Sequence, residues 1–344
     1  MRSMRNARGL VKFLAAVIAL AVMVAARNPL WEFSKKLAVA AARLQIPAVP
    51  EAIETALGEP SELSGASAPP EISGSSEPED DGLDPIEETL VGLTASDVEY
   101  DGVTLSNLTK SHSINLGAYL AQKPVIDLVK NGRPQVLIIH THTTEGYLGE
   151  ESDTCPSDYA GRELDQDKNI VAIGDVISGA LNEAGINTIH ITEVFDDPEF
   201  SGAYDRSAAA VKAMLKKYSS IEMVIDVHRD SLTNADGTRV KPTVKIDGKK
   251  AAQVMIVAGC NEDGALEFLN WEYNLRFDVR LQQAMNELYP GLARPIYFVA
   301  RRYNMHLTKN SMLVEIGTEV NTLEEALFSA RLFTNSLLKT LDDL

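Results

Sequence analysis

His142, Glu145, His228 and Glu315 are the residues of this sequence whose types and spacing suit chemistry. His142 and Glu145 stand three residues apart, just after the apolar run Val136 to Ile139, so a tight turn aims an imidazole and a carboxylate at one point. Those donors suit zinc, and a third ligand from elsewhere would leave one position open for water. His228 ends a second run, Met223 to Val227, and Glu315 sits inside a third, Met312 to Ile316. A carboxyl buried in a core has a raised pKa, which fits it to take and return a proton in metal-assisted amide hydrolysis. Each signal alone is weak. An H-x-x-E pair is common by chance, a lone strand-end histidine is more often packed or exposed, and Glu315 has Arg302 as an ordinary ion-pair partner. The convergence of three strand ends carries the reading.

Other polar residues weigh less. His140 shares an extended face with His142 and is either a supporting partner or an alternative ligand. Asp167 rivals Glu145 as the carboxylate ligand, although an acid there also complements a helix dipole. His190 reads as core packing and His112 as surface. His306 lines the pocket or lies on the surface. Arg302 and Arg276 are candidates to bind a substrate carboxylate, from charge alone. Cys155 and Cys260 are the only cysteines, which excludes a disulfide scaffold and a thiolate finger but permits one bridge outside the cytoplasm.

The elements that must position these residues alternate. Strands are expected at Val103–Thr109, Val136–His140, Ile186–Thr192, Ile221–His228, Ile296–Ala300 and Ser311–Ile316. Val240–Ile246 and Gln253–Ala258 flank Asp247-Gly248-Lys249-Lys250, a hairpin signal. Helices are expected at Leu116–Val129 (with Pro124 near its start or at a break), Asn169–Ala184, Arg206–Tyr218, Phe268–Leu288 and Thr322–Leu341. This is an α/β domain with a mixed sheet flanked by helices.

That domain is expected over residues 91–344. Residues 1–30 pair a basic start with the apolar run Phe13–Ala26, the form of an export signal or signal anchor, placing the rest of the chain across the membrane. Residues 31–57 suit an amphipathic helix. Residues 58–90 are rich in Pro, Ser and acid and suit a disordered linker. A net charge of −17 among 344 residues, with no large Lys/Arg cluster, argues against nucleic-acid binding.

Several stretches together resemble the stage II sporulation protein P family. They are His140-Thr141-His142-Thr143-Thr144-Glu145-Gly146-Tyr147, Asn169-Ile170-Val171-Ala172-Ile173-Gly174, Asp226-Val227-His228-Arg229-Asp230, Arg302-Tyr303-Asn304, and Leu313-Val314-Glu315-Ile316-Gly317 with Asn321-Thr322. The likeness runs from about Val103 to the C-terminus and extends distantly to zinc N-acetylmuramoyl-L-alanine amidases. It implies a zinc-amidase-like fold and a membrane-anchored peptidoglycan hydrolase with its catalytic domain outside the cytoplasm. The implied setting is septal thinning and engulfment in sporulation, beside a lytic transglycosylase and a membrane partner. It implies amidase action, with activity on peptide cross-links also credited to the family. The distant comparison aligns His142 with the first ligand but sets Asp167 against Glu145 as the carboxylate. The combined expectation is zinc on His142, Glu145 and His228, with Glu315 as general base. The alternatives are a non-catalytic peptidoglycan-binding scaffold and a zinc peptidase restricted to cross-links.

Overall fold

The computed structural model describes residues 82–344 apart from 130, 263, 265 and 270. The expected signal anchor, amphipathic helix and most of the linker lie outside the described residues. Among the described residues no helix is long and apolar enough to cross a membrane.

The strands are β1 (Leu83–Thr89), β2 (Val98–Tyr100), β3 (Val103–Asn107), β4 (Val136–Ile139), β5 (Thr154–Pro156), β6 (Thr188–His190), β7 (Met223–Asp230), β8 (Arg239–Ile246), β9 (Lys249–Ala252), β10 (Val254–Gly259), β11 (Ile296–Val299) and β12 (Met312–Thr318). The helices are α1 (Leu116–Leu120), α2 (Ile170–Glu183), α3 (Ala203–Lys217), α4 (Trp271–Leu288) and α5 (Leu323–Asp342). The larger sheet runs β2-β3-β11-β10-β12-β7-β4-β6 and the smaller β5-β1-β8-β9. The expected α/β architecture with a mixed sheet is therefore present.

Strands β12, β7, β4 and β6 are mutually parallel, whereas β10 runs antiparallel to β12. The carboxyl ends of β4, β7 and β12 therefore share one edge. From β4 the chain passes outward through α2 to β6, then returns through α3 to β7 on the other side of β4. Such a switch point opens a crevice at the strand ends.

Alternation along each strand sorts the core into faces. Val136, Ile138, Ile225, Val227, Val314 and Ile316 join α2, α4 and α5 in the main core. Leu137, Ile139 and Val224 face Val211 of α3, while Leu313 faces Met305 and Phe268. Each fully buried Leu or Ile contributes about 1.5–3 kcal/mol relative to exposure. By the same parity His228 and Glu315 point to the α3 face, not into the main core.

Local signals explain the helix starts. Asn169 caps α2 by accepting from the Val171 N–H at 2.9 Å. Thr322 and Glu325 form a reciprocal capping box on α5. Asp247 and Gly248 both have positive φ, as a two-residue hairpin turn requires.

Three expectations need correction. The helix expected over Leu116–Val129 stops at Leu120, because Pro124 disfavours helical conformation in the residue before it. The partner of β8 in the hairpin is Lys249–Ala252; Gln253–Ala258 breaks away into the larger sheet as β10. The last residues of the stretch expected as linker form β1, whose acids meet cations: Asp84 lies 2.9 Å from Arg239, and Glu88 contacts Lys250. Backbone pairing with β5 and β8 holds the strand despite its low apolar content, with these ion pairs beside it.

Candidate metal centre

The loop after β4 is fixed on all sides. The Thr141 N–H and hydroxyl both donate to Asp226, at 2.9 and 2.6 Å. The Thr144 hydroxyl donates to Asp196 at 2.7 Å. Arg229, beside His228, is buried, and its guanidinium donates to the carbonyls of Gly146, Ala160 and Gly161. Its backbone N–H donates to Glu145 Oε2 at 3.1 Å.

This framework brings Glu145 to His228. Glu145 Oε2 lies 3.2 Å from His228 Nδ1, and Asp226 Oδ1 lies 3.0 Å from Nε2, off the line of an N–H bond. His228 is 2% exposed. Burial opposes its charge, but the Asp226 and Glu145 carboxylates raise its pKa well above the usual value. Burial likewise pushes Glu145 up, yet the positive charge of His228 dominates, with Arg229 and His142 adding to it, and holds it at about 2. His142 is half-buried with its ring centroid 5.3 Å from that of His228. Its Nδ1 is buried without a hydrogen-bond partner. Burial first, then repulsion from His228, lowers its pKa to about 4, so it is neutral at pH 7 and ready to donate a lone pair.

Glu315 stands opposite His228 in the β12–β7 register. It is half-buried, with Oε2 buried and unpartnered. Burial raises its pKa to about 8, with His228 pulling down and Asp230 and Glu145 pushing up. The ordinary-pair alternative with Arg302 does not occur: Arg302 is exposed on the β11–β12 loop and has no ion pair among the described residues. Arg276 lies on α4, stacked 4.8 Å over Tyr273.

Asp167, the rival carboxylate, is exposed, whereas Glu145 is buried against His228. His140 is fully buried with both nitrogens engaged, Nδ1 by the Val227 carbonyl at 2.9 Å and Nε2 by His190 Nε2 at 2.8 Å. It has no free lone pair to offer a metal. His190 also contacts Asp175 at 2.9 Å. Burial, then His190, lowers the His140 pKa to about 3. His112 is not a free surface residue: it is half-buried against Trp271 and contacts the Asn261 carbonyl. His306 is half-buried with Nδ1 unpartnered. Cys155 and Cys260 are both free and buried.

Sequence reasoning missed an aromatic wall. Phe200 stacks on His142, with centroids 4.4 Å apart and planes 8° apart, and the Arg162 guanidinium lies 4.9 Å from the Phe200 ring. Tyr204 lies parallel to His228 at 6.5 Å and 5.4 Å from Tyr303. These residues come from the approach to α3 and the β11–β12 loop, and no spacing marks them in the chain.

The donor types fit zinc, and His142 Nδ1 is a buried donor atom lacking a partner. Among the described residues, however, no group of three His, Cys, Asp or Glu side chains is spaced as it stands to hold a metal ion. Glu145 and His228 contact one another directly instead.

The family model described as stage II sporulation protein P matches residues 74–337. This chain belongs to that family. Stage II sporulation protein P of Bacillus subtilis (strain 168) is 30% identical over 216 residues, covering 60% of this chain and 50% of that protein. The chain thus spans about half the length of the curated relative it matches. Among solved structures, the N-acetylmuramoyl-L-alanine amidase AmiC2 of Nostoc punctiforme is 14% identical, covering 60% of this chain and 97% of that one, with a TM-score of 0.37. The CwlD amidase from Clostridioides difficile, in complex with the GerS lipoprotein, is 12% identical, covering 61% and 100%, with a TM-score of 0.38.

Proposed function

We propose that this chain is a zinc-dependent peptidoglycan hydrolase of sporulation that cleaves the amide between N-acetylmuramic acid and L-alanine. The observation that carries the reading is Glu315: a carboxyl with a buried, unpartnered oxygen, opposite His228 and tuned to about 8. A group so placed exchanges protons near neutral pH. His142, Glu145 and His228 would hold the zinc, which when bound supplies polarisation of the scissile carbonyl and a more acidic water. Glu315 takes a proton from the attacking water and returns it to the leaving amine. Asp226 Oδ1, 3.0 Å from the far nitrogen of His228, is the acid placed to orient that imidazole when it ligates, as outer carboxylates do for metal-ligating imidazoles. Phe200, Tyr204 and Tyr303 exclude bulk water from one side.

Family membership supplies the setting, and the relative's name places that protein in sporulation. We extend this to septal wall degradation and engulfment, with residues 1–30 anchoring a catalytic domain outside the cytoplasm. A lytic transglycosylase and a membrane partner belong to the same proposal.

The test is a digest. The full chain is incubated with purified peptidoglycan, with and without a chelator, and product masses are taken. Chelator-sensitive release of intact stem peptides is the expected result. Cross-link cleavage alone would replace the amidase by a peptidase. Binding without products, even with zinc added, would leave a wall-binding scaffold.

A further inference from the structure

Residues 161–163 pair antiparallel with the loop that carries Glu145. The Gly146 N–H donates to the Gly161 carbonyl at 2.7 Å, and the Glu163 N–H donates to the Thr144 carbonyl at 2.8 Å. Arg162 stands directly opposite Glu145 in the resulting bridge. Directly opposed residues of an antiparallel pair project from the same face. The Arg162 side chain is therefore sent to the side on which Glu145 meets His228.

Two contacts fix it there. Arg162 Nη1 donates to Asp196 Oδ2 at 2.9 Å and to Thr144 Oγ1 at 3.3 Å. The Asp196 side chain is fully buried and also accepts from the Thr144 N–H and hydroxyl. The guanidinium carbon lies 4.9 Å from the centroid of Phe200, whose ring stacks on His142. Even so, the Arg162 side chain is 36% exposed and Phe200 is 51% exposed. Among the described residues neither Nε nor Nη2 of Arg162 has a hydrogen-bond partner. One nitrogen thus holds the group in place, while the Nε–Nη2 edge stays open beside two candidate ligands. The acids that follow in the chain are engaged elsewhere: Glu163 Oε1 accepts from the Asp165 N–H at 2.8 Å, and Asp165 pairs with Lys168 at 2.9 Å.

We propose that the Nε–Nη2 edge of Arg162 binds a free carboxylate of the stem peptide, with Phe200 packed against the guanidinium. The substrate class rests on the hydrolase reading above. The planar fork of arginine matches a carboxylate's two oxygens. Asp196 has already fixed the side chain, which lowers the ordering cost of binding. The subsite lies on the His142 side of the crevice, so it sets which peptide is gripped and leaves the proton transfer to Glu315.

The test measures equilibrium binding, not turnover. The probes are soluble disaccharide–peptide fragments of peptidoglycan with native carboxylates, and the same fragments after carbodiimide amidation. Binding is read on the full chain carrying Glu315→Gln, to suppress cleavage, alone and with Arg162→Gln or Arg162→Lys. Without a change at Arg162, amidation should raise Kd roughly tenfold or more. Arg162→Gln should abolish that preference. Arg162→Lys keeps a cation for Asp196 but loses the fork, so it should hold its melting temperature and lose most of the preference. That variant decides the question if Arg162→Gln fails to fold. Equal binding of native and amidated fragments would overturn the proposal, as would a preference left intact in the folded Arg162 variants. Displacement by inorganic phosphate with indifference to amidation would also overturn it and mark a phosphate site. The two readings fail separately: stem-peptide release by the chain with Glu315 intact, without a carboxylate preference, sinks the subsite. A carboxylate preference without products from that chain sinks the hydrolase.

Discussion

Glu315 faces His228 across the parallel β12–β7 pair, both side chains on the α3 side of the sheet. Removing the acid while keeping its shape separates chemistry from fold. Glu315→Gln is expected to lower cleavage by 10²–10⁴-fold, the range for a positioned general base, measured as release of stem peptides under saturating wall substrate.

The same residue makes stability depend on pH. Its folded pKa of about 8 lies above the ordinary 4.5, so the folded state keeps a proton that the unfolded state releases. Its contribution to stability is therefore complete below about 4.5 and declines as pH rises through 8. With chelator present, the parent should lose on the order of 2 kcal/mol relative to Glu315→Gln between pH 4.5 and 9, allowing for partial exposure. Urea unfolding at the two ends of that window checks it; parallel curves would refute it.

Asp226 serves two masters, the Thr141 turn and His228. Asp226→Asn retains an acceptor for one Thr141 bond but removes the charge beside Nε2. Zinc affinity, read by competition with a chromophoric chelator, should fall 10- to 100-fold, with a smaller loss of thermal stability. Unchanged affinity would remove Asp226 from the site.

Gly174 on α2 leaves room for the paired histidines. A Cβ there would lie 2.4 Å from the Nε2 atoms of both His140 and His190. Gly174→Ala should cost about 1–3 kcal/mol by overpacking, seen as a lower melting temperature. Gly179, on the same helix with open space around it, is the control and should tolerate alanine.

Lys241 is 2% exposed and lies 2.9 Å from the buried Glu325 of the α5 capping box. Removing the cation leaves Glu325 Oε1 buried without a partner, while Oε2 keeps its bonds from Thr322 and Asn321. Lys241→Met should destabilise by about 3–5 kcal/mol, and adding Glu325→Gln should recover part of that loss. Equal unfolding midpoints for single and double variants would show that the pair is not coupled.

The chain's own pattern disclosed the strand ends and the long helices, because burial on two faces writes unbroken apolar runs and amphipathic helices write a 3.6-residue period. It also singled out the four residues now seen around the crevice, since His228 ends such a run, Glu315 interrupts one, and His142 and Glu145 follow one. The rest depends on pairing across long separations. Nothing near His140 announces that His190 will occupy its nitrogen, fifty positions away. Phe200 and Tyr204 belong to a segment whose sequence reads as an ordinary helix approach. Strand β1 was illegible because its pairing partners, β5 and β8, and the cations Arg239 and Lys250 that meet its acids all lie far along the chain.

Arg229 ties three carbonyls of two separate turns to the strand that bears His228, and the Gly146 and Glu163 amides close the same knot through Gly161 and Thr144. A segment fastened this way has no low-energy route to open by itself. Its amide protons should therefore exchange with solvent only when the domain as a whole unfolds. Glu145 is then carried by the slowest-exchanging part of the molecule, and access to the crevice falls to the exposed residues around Phe200.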